Sequence, residues 1–529
     1  MNSRRTFVKH IGLGAAALAI SPAFLNWAQA MPAPHNLPRS TPEMQGVSSD
    51  VLYQLFDAMD CSDIEFHSVM VLRNGVVIGE GWWEPYAAQY KHTLHSLSKS
   101  FTSAAVGLAI NEGRFTVESP VISFFPDLLP KEVSPNLAAM KVKHLLTMTT
   151  GHAVDNLRTG SVPWVQSFLA APIVHEPGTF YLYNTTASYM LSAIVQKTTG
   201  QTELEFLKPR LFEPLKIEGA DWETSPQGIN TGGFGLRIRT EDIASFTQLY
   251  LNKGKWKGKQ IIPASWVEAS SKEQWTFNSN PFGGKSPKAT DDWQQGYGYQ
   301  FWRTQHNGFR SDGLYGQFGI VLPDQQTVVA ITEQSFNTQK SLNFIWDILV
   351  PGLQKSPLVS NGEGFQKLKS KQESLRIKFP AAATTSTIIS TISSKKFIFD
   401  NNTLGAKSIT FNFGKDDGEF VVNFDKGHRK LNFGMNTWKI AKNGKMLNSE
   451  LPFPVGGLPD VPSEVGVNAT WKDANTLFMD IRAVETVTGD SMTCYFTGDM
   501  VKMTFLHSVA RYNPGRQKET RPELTGHLA

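Results

Sequence analysis

The residues of this chain that could do chemistry begin with a serine and a lysine three positions apart, in Ser96-Leu97-Ser98-Lys99. Positions i and i+3 share one face of a helix, so the Lys99 nitrogen can reach the Ser96 hydroxyl. A serine needs a base beside it, and a lysine in apolar surroundings gives up its proton more readily because burial disfavours its charge. An apolar segment, Phe101 to Ile110, follows at once. The pattern therefore predicts a nucleophilic serine at a helix N-terminus, where backbone N–H groups favour an oxyanion; a helix cap with a solvent-reaching lysine is the alternative.

Other familiar chemical motifs are missing or weaker. A second S-x-x-K, Ser393 to Lys396, stands in the polar approach to a predicted strand without a following helix, and we interpret it as chance. The sequence has no G-x-S-x-G, H-E-x-x-H or H-x-H-x-D. Gly284-Lys285-Ser286 imitates the end of a P-loop, but Ser279 stands where the first glycine belongs, so we predict a solvated loop. We therefore predict no metal and no cofactor.

Composition limits the classes of function that the chain can have. Its 529 residues, 40% hydrophobic and 19% charged, suffice for more than one domain and exclude global disorder. The body after residue 30 is nearly neutral, so it lacks the basic surface that nucleic acid or an anionic membrane would need. Only Cys61 and Cys494 are present, which excludes a disulfide framework. We expect buried free thiols, with a bridge between domains as the alternative.

The N-terminus has the form of an export signal. Residues 3–9 read Ser-Arg-Arg-Thr-Phe-Val-Lys, an apolar run follows to Phe24, and Ala28-Gln29-Ala30 has the form of a cleavage site. The paired arginines resemble a twin-arginine signal, with an ordinary secretory signal as the alternative. We predict cleavage after residue 30 and a periplasmic or extracellular mature protein. No later apolar run approaches about 18 residues, so no membrane segment is expected in the mature form.

Periodicity predicts two structural parts. Two β-rich runs flank Asn74-Gly75, a strong hairpin signal, and two more surround Pro323-Asp324, with helical patterns between them. The first and last strands are expected to share one sheet. After Lys396 the apolar period becomes 2, which predicts an all-β sandwich or barrel. The predicted parts are a signal (1–30), a catalytic domain (36–352), a helical connector and linker (353–395), a C-terminal β domain (396–510) and a polar tail (511–529).

A series of segments, ordered along residues 40–352, resembles the class C β-lactamases and the related esterases, D-amino-acid peptidases and D,D-peptidases. The segments are SLSKSFT at Ser96, INEGR at Ile110, HLLTMTTG at His144, PGT at Pro177, YNT at Tyr183, GGFGL at Gly232 with Asp242, and GYGY at Gly296. The resemblance implies a serine β-lactamase-like fold of mixed α and β structure (α+β). Such a fold has an antiparallel sheet flanked by helices and an all-helical lobe, with the active site between them.

The resemblance also implies roles for individual residues. Ser96 would be the nucleophile, Lys99 its activator and Tyr183, as a phenolate or as a proton relay, would serve acylation and deacylation. The alternative for Tyr183 is a core aromatic, and Tyr181 is the next tyrosine to consider. Thr185 stands where the family more often has an asparagine, so it cannot offer an amide to a substrate carbonyl.

A second departure lies at the family's K-T-G strand, where this chain has Ser311-Asp312-Gly313. The missing cation removes an obvious clamp for the carboxylate that penicillin-type ligands carry. Gly313 still permits close backbone approach, and the Leu314 N–H is expected to be the second oxyanion donor beside that of Ser96. We interpret Asp312 as a solvated or turn acid, and His92 and His95 as structural or pocket-lining.

Together these features predict an exported serine hydrolase that cleaves a small-molecule ester, amide or peptide through an acyl-serine. The missing cation favours an esterase or amidase over a β-lactamase. The alternatives are a D-amino-acid peptidase or β-lactamase, and a non-catalytic binding or sensor protein on a degenerate hydrolase fold. The β domain has three candidate roles: a carbohydrate or cell-wall binding module, a cap over the substrate entrance, or a dimer contact.

Overall fold

The structure is a computed structural model that describes residues 36–155, 162–380, 386–425, 427–444, 463–512 and 518–529. The export signal predicted for residues 1–30 lies outside the described residues. None of the helices in the described ranges combines the length and hydrophobicity that crossing a membrane requires.

A six-stranded antiparallel sheet forms the centre of the first part. Its first strand, Glu65–Arg73, pairs with Thr327–Gln334, so the predicted sharing of one sheet by the first and last strands is confirmed. Asn74 and Gly75 both have positive φ, 51° and 80°, as a tight two-residue hairpin turn requires. In spatial order the strands are Val76–Trp82, Glu65–Arg73, Thr327–Gln334, Gln317–Leu322, Phe309–Gly313 and Trp302–Arg303.

Helices cover both faces of this sheet. The strand Glu65–Arg73 is therefore buried at every position, with Met70 and Leu72 in one core and Val69 and Val71 in the other. The α-helices of the described residues are Ser49–Asp60, Ser98–Asn111, Pro135–Ala139, Val142–Leu146, Trp164–Ala170, Thr185–Thr199, Glu203–Leu207, Glu213–Leu215, Thr240–Leu251, Ala264–Ser271, Thr338–Phe344, Gly362–Ser374, Ile389–Ile392 and Ser508–Tyr512.

The helix Ser98–Asn111 is central to the helical lobe. Twelve of its fourteen residues are buried, which agrees with the prediction of a buried helix from an apolar run without a polar face. Phe101 stacks on Phe246 with ring centroids 3.8 Å apart. Gly113 follows with φ of 73°, a left-handed conformation that glycine tolerates and that stops the helix. The predicted combination of a flanked sheet and a helical lobe is confirmed.

The C-terminal part is a closed nine-stranded barrel, so the all-β prediction is confirmed in its barrel form. Alternate residues such as Ile409, Phe411 and Met479 fill its interior. In order around the barrel the strands are Gly427–Met435, Asp417–Phe424, Ala406–Phe413, Lys396–Phe399, Leu524–Leu528, Met500–His507, Gly489–Thr497, Thr476–Ala483 and Ser463–Trp471. A short parallel pairing of Gly434 with Asn468 closes the ring, and Lys439–Gly444 adds an outer strand.

The end of the chain belongs to this barrel. Within the segment 511–529, expected as a polar tail, Leu524–Leu528 pairs with strands on both sides. Leu524 is buried in the barrel core. Cys494 is also buried there, as expected. The expectation of a buried thiol is wrong for Cys61, which is exposed because it follows the last residue of the helix Ser49–Asp60. Both thiols are free, so the alternative of a bridge between them is not realised.

A buried ion-pair network joins the barrel to the central sheet. Arg482, fully buried on a barrel strand, donates to Glu65 of the first sheet strand at 2.8 Å and lies 3.0 Å from Asp480. Glu65 contacts His67, which is 2.9 Å from His92, four residues before Ser96. The barrel therefore supports the segment that leads to the proposed nucleophile.

Replacing Arg482 by methionine is expected to destabilise the whole chain. The variant keeps much of the side-chain volume but removes the buried cation between Glu65 and Asp480, so that Asp480 keeps, of its ion pairs within the described residues, only the one with Arg511 at 3.4 Å. Removing one partner from a buried ion pair typically costs about 3–5 kcal/mol. Urea unfolding of the full-length protein measures this loss. Lys502→Ala, which removes an exposed barrel ion pair with Glu523, is the control and should unfold like the wild type. An Arg482→Met protein as stable as the control would contradict the importance of this network.

Candidate active site

The segment that presents Ser96 is a sharp turn into the buried helix. A short 3-10 turn, His95–Leu97, precedes the helix Ser98–Asn111, and His95 has a positive φ of 46°. Leu94 donates its backbone N–H to the Leu236 carbonyl, and the Ser98 hydroxyl accepts from the Leu236 N–H. These bonds fix the chain on either side of Ser96, which remains partly exposed.

Lys99 and Ser96 are in direct contact, as their spacing predicts. The Lys99 Nζ donates to the Ser96 Oγ at 3.0 Å and to the Gly233 carbonyl at 2.7 Å. The lysine is 1% exposed, so water does not compete for these bonds. A Cβ on Gly233 would lie 3.3 Å from Nζ and would collide with Thr185, so this site in the GGFGL segment requires glycine. A base is thus held beside a hydroxyl that a substrate can approach.

Tyr183 lies beside Lys99. The Lys99 Nζ is 5.0 Å from the centroid of the Tyr183 ring, and Trp302 stacks on that ring. Burial raises the pKa of the phenol, and the charges of Asp312 and Asp155 add to the rise, whereas the hydrogen bond with Ser96 acts against it. At neutral pH Tyr183 is therefore an uncharged O–H donor, not a phenolate.

Tyr181, the alternative tyrosine, points elsewhere. Its ring packs among Trp275, Phe277 and Tyr297, and burial raises its pKa well above the ordinary value. The contacts with Ser96 and Lys99 belong to Tyr183.

Asp155 is a residue of this site that the sequence did not reveal. Its carboxylate accepts from the Thr185 N–H at 3.0 Å and from the Thr186 hydroxyl at 2.9 Å, at the N-terminus of the helix Thr185–Thr199. A carboxylate there compensates unpaired N–H groups and the positive end of the helix dipole. The Thr185 hydroxyl lies 3.4 Å from the Lys99 Nζ, so it faces the proposed base.

The strand Phe309–Gly313 ends against the nucleophile turn. A Cβ on Gly313 would collide with the Leu94 carbonyl and lie 3.1 Å from the Leu97 nitrogen, so only glycine permits this approach. Gly313 and Gln317 are paired across a tight turn in which Tyr315 and Gly316 have positive φ. This turn carries Leu314, whose side chain is exposed.

The interpretation of Asp312 as a solvated or turn acid is wrong, because its side chain is only 9% exposed and is ion-paired with Arg310. The Arg310 Nε donates to the Asp312 carboxylate at 2.9 Å. Burial raises the pKa of Asp312 to about 6, and Arg310 acts against that rise. Arg310, which the sequence did not reveal, is fully buried against Trp293, with its guanidinium 4.4 Å from the ring centroid. Its guanidinium is thus shared between the Asp312 carboxylate and the backbone carbonyls of Asp292 and Arg303.

The two histidines that precede Ser96 are buried. His95 packs edge-on against Tyr315, and burial, followed by the neighbouring Lys99, lowers its pKa to about 4. His92 bonds to His67 and to the Thr93 carbonyl. These contacts agree with the structural or pocket-lining role predicted for His92 and His95.

Comparison with known proteins gives a consistent family. The Beta-lactamase family matches residues 59–348. The chain is 25% identical over 191 residues to a beta-lactamase of Escherichia coli (strain K12), covering 31% of this chain and 49% of that protein. It is 25% identical over 227 residues to the 6-aminohexanoate-dimer hydrolase of Paenarthrobacter ureafaciens, covering 40% and 57%. The chain thus spans about half the length of these curated relatives. A solved structure, "EstCE1, a hydrolase with promiscuous acyltransferase activity", matches with a TM-score of 0.47 at 16% identity, covering 57% of this chain and 99% of that chain.

Proposed function

Because this chain belongs to the Beta-lactamase family, we propose that it is a serine hydrolase that cleaves an ester or amide bond through a covalent acyl intermediate on Ser96. The observation that carries the proposal is the 3.0 Å contact between the Lys99 Nζ and the Ser96 Oγ at the start of a buried helix. An activated serine requires a base within hydrogen-bond reach, and this contact supplies one.

In the proposed acylation step, the Ser96 oxygen attacks the substrate carbonyl carbon and its proton passes to the amine nitrogen of Lys99. The carbonyl oxygen becomes an oxyanion, which the N–H groups of Ser96 and Leu314 would stabilise. The close approach of Gly313 to the nucleophile turn supports this placement of Leu314. As the tetrahedral intermediate collapses, the bond to the leaving group breaks and Ser96 remains acylated.

Tyr183 would deliver the proton that the leaving group needs. Its raised pKa favours the protonated phenol, and its ring lies 5.0 Å from the Lys99 Nζ, the group that would hold the Ser96 proton. The phenol gives its proton to the leaving atom and regains one from Lys99. In deacylation a water replaces the leaving group, and the same groups move its proton in the opposite direction.

The charge near Asp312 favours esterase or amidase activity over β-lactamase activity. The family's K-T-G cation is replaced by Ser311, and the buried Arg310 is committed to Asp312 at 2.9 Å. A substrate carboxylate would therefore find no free cation on the strand Phe309–Gly313, and this lack of a charge partner disfavours penicillin-type ligands.

A substrate panel tests this proposal. We expect measurable turnover of short-chain p-nitrophenyl esters or of D-amino-acid p-nitroanilides, and a much lower kcat/KM for a cephalosporin. The Ser96→Ala protein should lose all of this turnover, whereas Ser393→Ala, in the second S-x-x-K, should keep it. Cephalosporin hydrolysis faster than ester or amide hydrolysis would make the β-lactamase alternative correct.

We also propose that the chain is exported in folded form by the twin-arginine route. The support is Arg4-Arg5 with Phe7 and Lys9, followed by the apolar run and the cleavage box. Replacing both arginines by lysine should leave uncleaved precursor in the cytoplasm, detected by fractionation and mass. Normal export of that double variant would indicate the general secretory route.

A further inference from the structure

An exposed aromatic ring borders the proposed catalytic tyrosine. Phe282 is 58% exposed, yet its ring lies 5.7 Å, centroid to centroid, from each of Tyr183, Trp293 and Trp302. Trp302 itself is only 3% exposed. Phe282 therefore extends a buried aromatic cluster into the solvent directly beside the active site.

The position of this ring is anchored. The Phe282 N–H donates to the Asn280 Oδ1 at 2.8 Å, and the buried Asn280 amide donates to Asp291 at 2.9 Å. The residues that follow, 283–290, are exposed. An apolar group that binds against this exposed ring gains binding free energy, because the contact removes the apolar surfaces of both partners from water.

The mechanism proposed above decides which part of the substrate lies there. If Tyr183 gives its proton to the leaving atom, the group attached to that atom continues past Tyr183 and meets Phe282 next. The buried Arg310 guanidinium packs against the Trp293 and Trp302 rings of this cluster and is ion-paired with Asp312. The surface offered to the leaving group is thus apolar, with a balanced charge pair below it.

We propose that Phe282 forms the outer wall of a leaving-group subsite that takes an uncharged apolar alcohol or amine. The proposal rests on the proposed function, because it uses Tyr183 as the donor to the leaving atom. It assigns the substrate class as esters or amides whose leaving portion is a neutral aromatic or aliphatic group.

Acetate esters of two alcohols test this subsite on the full-length protein. The wild type should hydrolyse 2-phenylethyl acetate with a higher kcat/KM than methyl acetate. In Phe282→Ala the ratio of the two kcat/KM values should fall about 10-fold, within the range that a few lost apolar contacts produce. Phe282→Leu should restore part of the ratio, because it returns apolar volume. Tyr495→Ala, which removes a 41% exposed aromatic ring on the barrel, is the matched control and should leave the ratio unchanged.

A second series identifies the side of the scissile bond. For methyl acetate and methyl 4-phenylbutyrate, which differ in the acyl portion, Phe282→Ala should alter the ratio less than twofold. An unchanged 2-phenylethyl ratio in Phe282→Ala, or a larger loss in the acyl series, would overturn the proposal. Labelling of Ser96 by a small fluorophosphonate separates this failure from failure of the proposed function. A labelled but unselective protein lacks only the subsite, whereas an unlabelled wild type lacks the mechanism.

Discussion

Replacing Lys99 by alanine is expected to slow acylation by about 10²–10⁴-fold, the usual contribution of a positioned general base. The reason is that Lys99 Nζ is 3.0 Å from the Ser96 Oγ and nearly excluded from solvent, so bulk water cannot take over its role. Pre-steady-state release of p-nitrophenol from an activated ester measures the acylation rate. Lys99→Met, which keeps the length of the side chain and removes the amine, should show a similar loss.

The second S-x-x-K provides the matched control for this prediction. Lys396 stands three positions after Ser393 but is exposed on a barrel strand, so Lys396→Ala should acylate at the wild-type rate. Circular dichroism and thermal unfolding verify that each variant is folded. A folded Lys99→Ala or Lys99→Met protein that acylates within threefold of wild type would remove Lys99 from the mechanism.

Tyr183→Phe is expected to lower kcat by about 10²-fold or more with little change in stability. The variant keeps the ring that stacks on Trp302 and contacts Phe282, and it removes only the hydroxyl that would serve the leaving group and the attacking water. If deacylation suffers more than acylation, a burst of product followed by slow turnover should appear in stopped-flow traces.

Tyr181→Phe is the control for that experiment. Its hydroxyl is buried in the aromatic cluster away from Ser96, so its removal should change kcat little. If Tyr183→Phe kept the wild-type kcat, or if only Tyr181→Phe lost a large part of it, Tyr181 and not Tyr183 would be the proton relay.

Short sequence patterns predicted the parts of the structure that depend only on residues close together in the chain. Asn74-Gly75 indicated its hairpin because a two-residue turn needs positive φ at both positions. The spacing of Ser96 and Lys99 predicted their contact because three residues nearly complete a helical turn. The period of 2 after Lys396 predicted strands, but closure into a barrel depends on the pairing of Gly434 with Asn468, and no local pattern reveals that pairing.

Contacts between distant segments escaped the sequence. From the sequence, Asp312 is expected to be a solvated or turn acid. Its carboxylate is instead paired with Arg310, and Trp293 and Trp302, from other segments, cover the guanidinium. Burial also explains why the two charges pair with each other.

The buried pair between Arg482 and Glu65 joins residues 417 positions apart, and Asp155 reaches Thr185 from 30 positions upstream. Neither arrangement has a periodic or motif signature. Each follows from the way in which completed elements pack against one another.

The most direct test of the account is the labelling of the protein by a fluorophosphonate, followed by intact mass and peptide mapping. Only a serine with a base and oxyanion donors beside it reacts readily with this reagent. We expect a single adduct, located on Ser96, in the wild type and in Ser393→Ala, and none in a folded Ser96→Ala protein. A folded wild type that takes up no label, or a Ser96→Ala protein that labels at the wild-type rate, would contradict the account.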